Sequence, residues 1–276
     1  MERKNMKIGN HGQEMRFLVT KKCNYHCVMC HEEGLPGMRN STLTPLDYEF
    51  LYLVGHKYLG MRGVTLTGGE PLMRSDIEDV AQKIWSKGGL STLTTNGSLL
   101  SNSIGRYVHK INVSLHVLNA GAYSVLTGTR DMYHRVLENI RDFRNQYPEK
   151  EICLNSVIVR GINYPKGIKN LINFAIEVQA SIKLIELFPS RLEGFVSLNE
   201  VRKSLINFGF VEDEPTYRKM NFSNNEINVA LTRIHCAEAL FASNPGLWCA
   251  QNNDLFISPD GSIKPCRERE ILKSIF

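Results

Sequence analysis

Short runs of β-branched and aliphatic residues recur along the chain. They lie at 15–20 (MRFLVT), 63–67 (GVTLT), 90–94 (LSTLT), 111–115 (INVSL), 152–159 (ICLNSVIV) and 181–188 (SIKLIELF). Between them apolar residues return at helical spacing, as in 44–59 (TPLDYEFLYLVGHKYL), 75–88 (SDIEDVAQKIWSKG) and 133–147 (YHRVLENIRDFRNQY). Thr44 before Pro45 and Ser75 before Asp76 are N-cap candidates, and Gly60 and Gly88 stand where helices should stop.

This alternation predicts an α/β fold, a parallel sheet with crossover helices. The repeat has fewer units than a full barrel closes with, so the expected architecture is a partial (β/α)6 TIM-like barrel over residues 1–200. The pattern fades after about residue 210, where 214–230 (EPTYRKMNFSNNEINVA) reads as polar and irregular. Residues 254–266 (DLFISPDGSIKPC) read as a hairpin turning at Asp260–Gly261. A boundary is therefore expected near 190–210, with a small C-terminal domain over 201–276.

Ligand sites in parallel α/β folds gather beyond the C-terminal ends of the strands. The first strand here runs into a cysteine-rich loop, the second into TGGEP (67–71) and the third into TTNG (94–97). The fourth ends on Ser114 and His116 and the sixth on Glu186, and all are expected to face one mouth.

Composition narrows the setting. The 276 residues are 42% hydrophobic and 22% charged, ordinary for a globular protein with a full core. A net charge of +5, with the basic residues scattered, gives no footprint for nucleic acid. No signal-peptide core or membrane-length apolar run occurs, so the expected location is the cytoplasm, without a membrane partner. Thiols stay reduced there, and metal binding becomes the leading explanation for seven cysteines.

Three of the seven, Cys23, Cys27 and Cys30, fall within eight residues (CNYHCVMC). Their C-x3-C-x2-C spacing differs from the C-x2-C pairs of structural zinc sites, which close a tetrahedron with four ligands. A cubane iron–sulfur cluster normally takes four cysteines, so three leave one iron open to an outside chelator. His31 is a fourth candidate, but as the neighbour of Cys30 it is poorly placed to wrap back. A thiol redox site is the other alternative.

The segment resembles the signature of the radical S-adenosylmethionine (SAM) superfamily, and GGEP (68–71) resembles its second motif. Within the superfamily the segments MRFLVTKKCNYHCVMC, LTGGEPLMRSDI, TTNGSLL, INVSLHVLNAGAYSVLTGTRDMYHRVLENI, NSVIVRGINY and IKLIELFP are most similar to the GTP 3′,8-cyclases of molybdenum cofactor biosynthesis. The resemblance implies a 4Fe–4S cluster on Cys23, Cys27 and Cys30 whose open iron binds SAM. Reduction of the cluster, by an external donor such as flavodoxin or ferredoxin, would cleave SAM to methionine and a 5′-deoxyadenosyl radical. It also implies that Gly68, Gly69 and Glu70 meet SAM's amino group and that Met29, Ser114 and Phe188 line the SAM pocket. Thr94, Thr95 and Asn96 would lie near SAM or substrate, and Arg16 would be a basic substrate contact. Taken singly, Ser114 also reads as a strand end, Phe188 as core and TTNG as a turn.

WCAQNNDLFISPDGSIKPC (248–266) resembles the family's auxiliary-cluster segment, of the SPASM or twitch kind. Cys249 and Cys266 match its outer cysteines, and Asn252 stands where the middle one belongs. Cys236 would supply a third thiolate, with His235 or Asn252 as alternatives, giving a second 4Fe–4S cluster whose open iron would meet substrate near Asn252. The bland alternative is a set of buried free cysteines. Cys153, inside a strand, reads as core.

The match departs from the cyclases at the phosphate contacts. Asp254 and Phe256 stand at two arginine positions, Thr65 at a third and Cys153 at a lysine position. A triphosphate in a closed pocket needs several such donors. The cyclases' glycine-rich tail would also follow the last residue here. The expected function is therefore a radical SAM enzyme that abstracts hydrogen from a small molecule, nucleoside-, sugar- or peptide-like, for cyclisation, rearrangement or oxidation. The short stretch before Cys23 leaves no room for a precursor-binding domain, which favours a small molecule over a peptide. A GTP 3′,8-cyclase with a divergent phosphate site is the alternative, and a non-catalytic iron–sulfur or zinc protein the second.

Overall fold

The computed structural model describes residues 14–30, 43–188, 193–215, 219–232, 254–264 and 273–274. Six strands fall where the apolar runs predict: β1 (Glu14–Thr20), β2 (Gly63–Gly68), β3 (Leu90–Thr95), β4 (Lys110–Ser114), β5 (Glu151–Ile158) and β6 (Ser181–Glu186). They pair in sequence order, all parallel. The connections carry α1 (Pro45–Leu59), α2 (Ile77–Ser86), α3 (Ala120–Thr127), α4 (Tyr133–Gln146) and α5 (Lys166–Glu177), while β3 to β4 crosses with only a 3₁₀ turn at Ile104–Arg106. A sixth helix, α6 (Leu198–Asn207), follows β6.

The strands alternate. Phe17, Val64, Leu66, Leu93, Ile111, Val113, Leu154 and Leu184 are fully buried and join the helices' apolar stripes in one core cluster. The positions between them, Arg16, Thr65, Thr94, Asn112, Cys153, Asn155 and Lys183, face away from that core into the barrel lumen. A polar lumen behind a dry outer wall is the arrangement of a ligand-holding barrel.

Caps are made as the sequence predicts at α1. Thr44 and Asp47 form a capping box, and Gly60 closes the helix in the left-handed region at φ 67°. At α2 the cap shifts from Ser75 to Asp76, which makes no side-chain cap bond. Its carboxylate is occupied by Arg74, whose Nε donates to Oδ1 at 2.6 Å and whose second nitrogen donates to Oδ2 at 2.9 Å.

The residues after 200 extend this sheet at both edges. β9 (Asn228–Thr232) pairs parallel to β6, and β8 (Lys219–Ser223) and β7 (Val211–Glu212) follow antiparallel. At the other edge β10 (Leu255–Ile257) pairs parallel to β1, then β11 (Ser262–Lys264) and β12 (Lys273–Ser274) antiparallel. The strand order is linear, so the barrel is open. The stretch read as irregular is thus largely a hairpin: Met220, Phe222, Val229 and Leu231 are buried on one face, and Asn224 closes the turn by accepting from the Glu226 and Ile227 backbone. Its alternation was hidden by the Asn- and Ser-rich turn. The hairpin expected at Asp260–Gly261 forms between β10 and β11, with Gly261 at φ 83°. Among the described residues no helix is long and apolar enough to cross a membrane.

Candidate active site

The loop after β1 carries Cys23, Cys27 and Cys30, and its backbone is pinned on two sides. On one side Gly69 N–H donates to Thr20 O and Glu70 N–H to Lys22 O, each at 2.8 Å. On the other, His26 N–H and Val28 N–H donate to Thr127 O and Leu126 O at 2.9 Å, using carbonyls left free at the end of α3. The Tyr25 and Tyr123 hydroxyls meet at 3.0 Å beneath the loop. Gly68 and Gly69 are required here. A Cβ on Gly68 would lie 2.3 Å from Thr20 O, and one on Gly69 would lie 2.3 Å from Lys22 O and 2.6 Å from Lys21 O.

Glu70 is fully buried, and its carboxylate collects three donors: Thr95 Oγ1 at 2.7 Å, Asn96 N–H at 2.7 Å and Leu72 N–H at 3.1 Å. Burial pushes this carboxyl up, and the donors work against that shift. The Asn96 side chain goes on to donate to Asn24 Oδ1 at 2.9 Å, Asn24 donates to Ser98 Oγ at 2.9 Å, and Ser98 returns two bonds to Asn96 Oδ1. TGGEP and TTNG therefore form one polar lattice with the cysteine loop. Arg74 latches its far side, donating to Val19 O and Leu43 O and lying 5.1 Å over the Tyr48 ring.

The three thiols open onto one cavity of about 550 Å³, shared with Thr20, Lys21, Gly68 and Gly69. Cys23 and Cys30 are exposed, and Cys27 is half-buried. Burial, then the charges of Cys30 and Cys23, push the Cys27 thiol up to about 12; burial likewise raises Cys23. Neighbouring thiolates on their own repel, and a metal centre between them reverses the sign of that field. Among the described residues no three His, Cys, Asp or Glu side chains converge tightly enough for a single ion. The three thiols instead border a common cavity.

The radical SAM superfamily pattern matches residues 17–175, more than half the chain. The chain belongs to that superfamily. Within it, the chain is 33% identical over 270 residues to a probable GTP 3′,8-cyclase of Pyrobaculum aerophilum, covering 94% of this chain and 85% of that protein. It is 30% identical over 274 residues to the one from Thermococcus kodakarensis, covering 94% and 86%. Among solved structures, Streptococcus suis SuiB bound to S-adenosylmethionine superposes with a TM-score of 0.68 at 17% identity. That match covers 95% of this chain, which spans only 63% of SuiB, and it speaks for the fold alone.

As a radical SAM enzyme of the GTP 3′,8-cyclase group, the protein has a 4Fe–4S cluster and SAM as its family's cofactors. Cys23, Cys27 and Cys30 fit that cluster, being three thiols on one rigid loop at the mouth of a cavity. Met29 packs partly buried against the core beside them. Ser114 ends β4 in register with Asn155, on the lumen face, and Thr94 accepts from Asn112 Nδ2 at 3.3 Å. Thr95 and Asn96 spend their side chains on the lattice around Glu70. Phe188, just past β6, is 38% exposed rather than core. His116 is buried, with Nδ1 accepting from Val157 N–H at 3.1 Å; burial pushes its imidazole down to about 4, so it is neutral near pH 7.

One mouth residue is corrected. Glu186 is buried in phase with Ile182 and Leu184, on the helix side of β6, and accepts from Leu198 N–H at 3.2 Å. It ties α6 to the sheet and does not face the mouth. Arg16 faces the lumen, between Thr65 on β2 and Phe256 on β10, with its guanidinium 5.6 Å over the Phe256 ring. The residue standing at a family arginine position thus cradles the arginine that is kept. Asn24, Ser98 and Tyr123 were not picked out from the sequence, because only the fold brings their partners within reach. His31, His235, Cys236, Cys249, Asn252 and Cys266 lie outside the described residues.

Proposed function

We propose that this enzyme cleaves SAM at the cysteine loop and uses the radical on a small molecule held in the barrel lumen, for cyclisation, rearrangement or oxidation. The observation that carries this reading is the cavity shared by Cys23, Cys27, Cys30 and the Gly68–Gly69 backbone, at the strand ends of a barrel with a polar interior. When bound, the reduced cluster supplies the electron that splits SAM. The chain's own part is positional. Gly68 and Gly69 border the same cavity as the thiols, and Met29, Thr94, Ser114 and Phe188 are proposed as the lining of the SAM pocket. Glu70, Thr95 and Asn96 hold the loop in place through their lattice. A second 4Fe–4S cluster on Cys236, Cys249 and Cys266, an electron donor of the flavodoxin or ferredoxin kind and a cytoplasmic setting belong to the same proposal.

A second reading, GTP 3′,8-cyclase itself, is favoured by relatives of that name matching over 94% of the chain. Thr65, Cys153, Asp254 and Phe256 at the family's basic positions speak against a triphosphate held in the family's manner. The two separate in one assay. The reconstituted enzyme with SAM and reductant is expected to release no more 5′-deoxyadenosine with GTP than without it. A release proportional to GTP would establish the cyclase instead.

A further inference from the structure

The barrel has a second cavity at its other end. It measures about 230 Å³ and is bordered by Lys110, Cys153, Ser181, Lys183, Lys219 and Asn228. Lys110, Ser181 and Asn228 are the first residues of β4, β6 and β9, so this space lies at the N-terminal ends of the parallel strands. The thiols follow the C-terminal end of β1. Strand alternation brings the lysines in: Lys183 lies between buried Ile182 and Leu184 on β6, and Lys219 precedes buried Met220 on β8. Lys110 has a partner, Glu151, at 3.3 Å. Lys183 and Lys219 make neither hydrogen bond nor ion pair among the described residues. The carboxylates nearby are engaged: Glu14 accepts from Thr65 Oγ1, Asp213 from Ser223 Oγ at 3.0 Å and Glu212 from Arg202 at 2.6 Å. An amine taken out of water, crowded by like charge and left without a counter-ion favours its neutral form, and the neutral amine is a nucleophile.

We propose that Lys219 is an imine-forming amine, condensing with a small aldehyde or ketone that enters this cavity beside Lys183. The step needs no redox partner. The neutral Nζ adds its lone pair to the carbonyl carbon, and the carbonyl oxygen takes a proton from the Lys183 ammonium or from solvent. Both amine hydrogens end on that oxygen, which leaves as water, and the nitrogen pair closes a C=N bond in place of C=O. Lys183, returned to its ammonium form, polarises the next carbonyl. A second feature narrows the compound. Asn112, in register beside Cys153, spends Nδ2 on Thr94 Oγ1, and its Oδ1 is buried with no hydrogen-bond partner. A hydroxyl on the bound compound would satisfy that acceptor. The class that fits is a small hydroxylated aldehyde or ketone, and the inference does not depend on the radical reading.

The charges around Lys219 give the site a pH signature. Burial and then the charges of Lys183 and Lys110 bring the Lys219 ammonium down to about 8, with Cys153 and Glu14 acting the other way. Burial lowers Lys183 too, opposed by Cys153 and Glu14 and reinforced by Lys110 and Arg16. At pH 7.5 a group near 8 holds roughly a hundred times more neutral amine than an ordinary lysine near 10.4. Condensation is therefore expected to speed up as pH rises and to level off above about 8.

The test is reductive trapping of the anaerobically reconstituted full chain with dihydroxyacetone and cyanoborohydride, followed by peptide mass spectrometry. At pH 7.5 the adduct is expected on Lys219 at least about tenfold faster than on any other lysine, and the α-amino group, which titrates in the same range, is read on its own peptide. Lys219→Arg should leave no adduct on that strand. Lys183→Gln should move the midpoint of the pH profile up, toward the ordinary lysine value. Adducts spread over the lysines with no preference for Lys219 overturn the proposal, and so does a midpoint that stays or falls in Lys183→Gln. Wild type decides the first point by itself, whether or not the Lys183 variant folds. Trapping needs neither SAM nor a reduced cluster, so SAM cleavage measured separately shows which of the two readings has failed.

Discussion

Replacing Cys27 with alanine is expected to reduce 5′-deoxyadenosine formation to background and to remove the iron bound by this loop. Cys27 is the middle thiol of the three and the most buried, packed partly against the core, while Cys23 and Cys30 are exposed. Its loss leaves two solvent-facing thiols and no third ligand to fix the cluster's orientation against SAM. The fold should survive, because the loop is held by backbone bonds from Gly69 and Glu70 to its Thr20 and Lys22 carbonyls and from its His26 and Val28 to Thr127 and Leu126, and not by the sulfur. Iron analysis and far-UV circular dichroism on the same preparation check both halves. A variant that keeps wild-type SAM cleavage would mean that another residue completes the cluster.

Gly69→Ala is expected to cost roughly 3 kcal/mol of stability, an overpacking effect at the upper end of its usual range. The added methyl would stand 2.3 Å from Lys22 O, 2.6 Å from Lys21 O and 2.7 Å from the Lys22 carbonyl carbon. All three are backbone atoms, so relief requires the cysteine loop to move and stretches the Glu70 N–H to Lys22 O bond. SAM cleavage should fall further than stability does, since the loop that moves is the one carrying the thiols. Thermal unfolding and single-turnover 5′-deoxyadenosine yield measure the two effects. A variant that melts several degrees lower yet cleaves SAM at the wild-type rate would separate this turn from the site. Gly121→Ala is the matched control, at a glycine that like Gly69 lies outside the left-handed region and whose Cβ would meet nothing among the described residues closer than Asn119 Oδ1 at 3.5 Å.

Much of this was legible in the chain. The six inner strands and the larger helices follow from alternation and 3.6-residue periodicity, which burial enforces: Phe17, Leu66, Leu93 and Val113 must be dry. The cysteines and GGEP were legible because metal ligation and close backbone approach demand particular residue types at fixed spacing. Three things were not. Glu186 reads as a strand-end carboxylate, and only tertiary packing shows that it bonds α6. The β8–β9 hairpin hides behind a polar turn, so Lys219 looked like part of a solvated stretch. Lys183 was visible as a lysine at an inward strand position, but only the fold brings Lys219, 36 positions later in the chain, to the border of one small cavity with it. Counting basic residues only at the family's positions therefore undercounted the cations that the lumen holds.

Radical chemistry at the cysteine loop stands or falls on the iron, zinc and SAM cleavage products of the anaerobically reconstituted wild-type chain, quantified together. Bound iron with little zinc is expected, along with equimolar 5′-deoxyadenosine and methionine that appear only when both SAM and reductant are present. Protein that binds zinc in place of iron, or that carries a reducible cluster and SAM yet forms no 5′-deoxyadenosine, would contradict that chemistry.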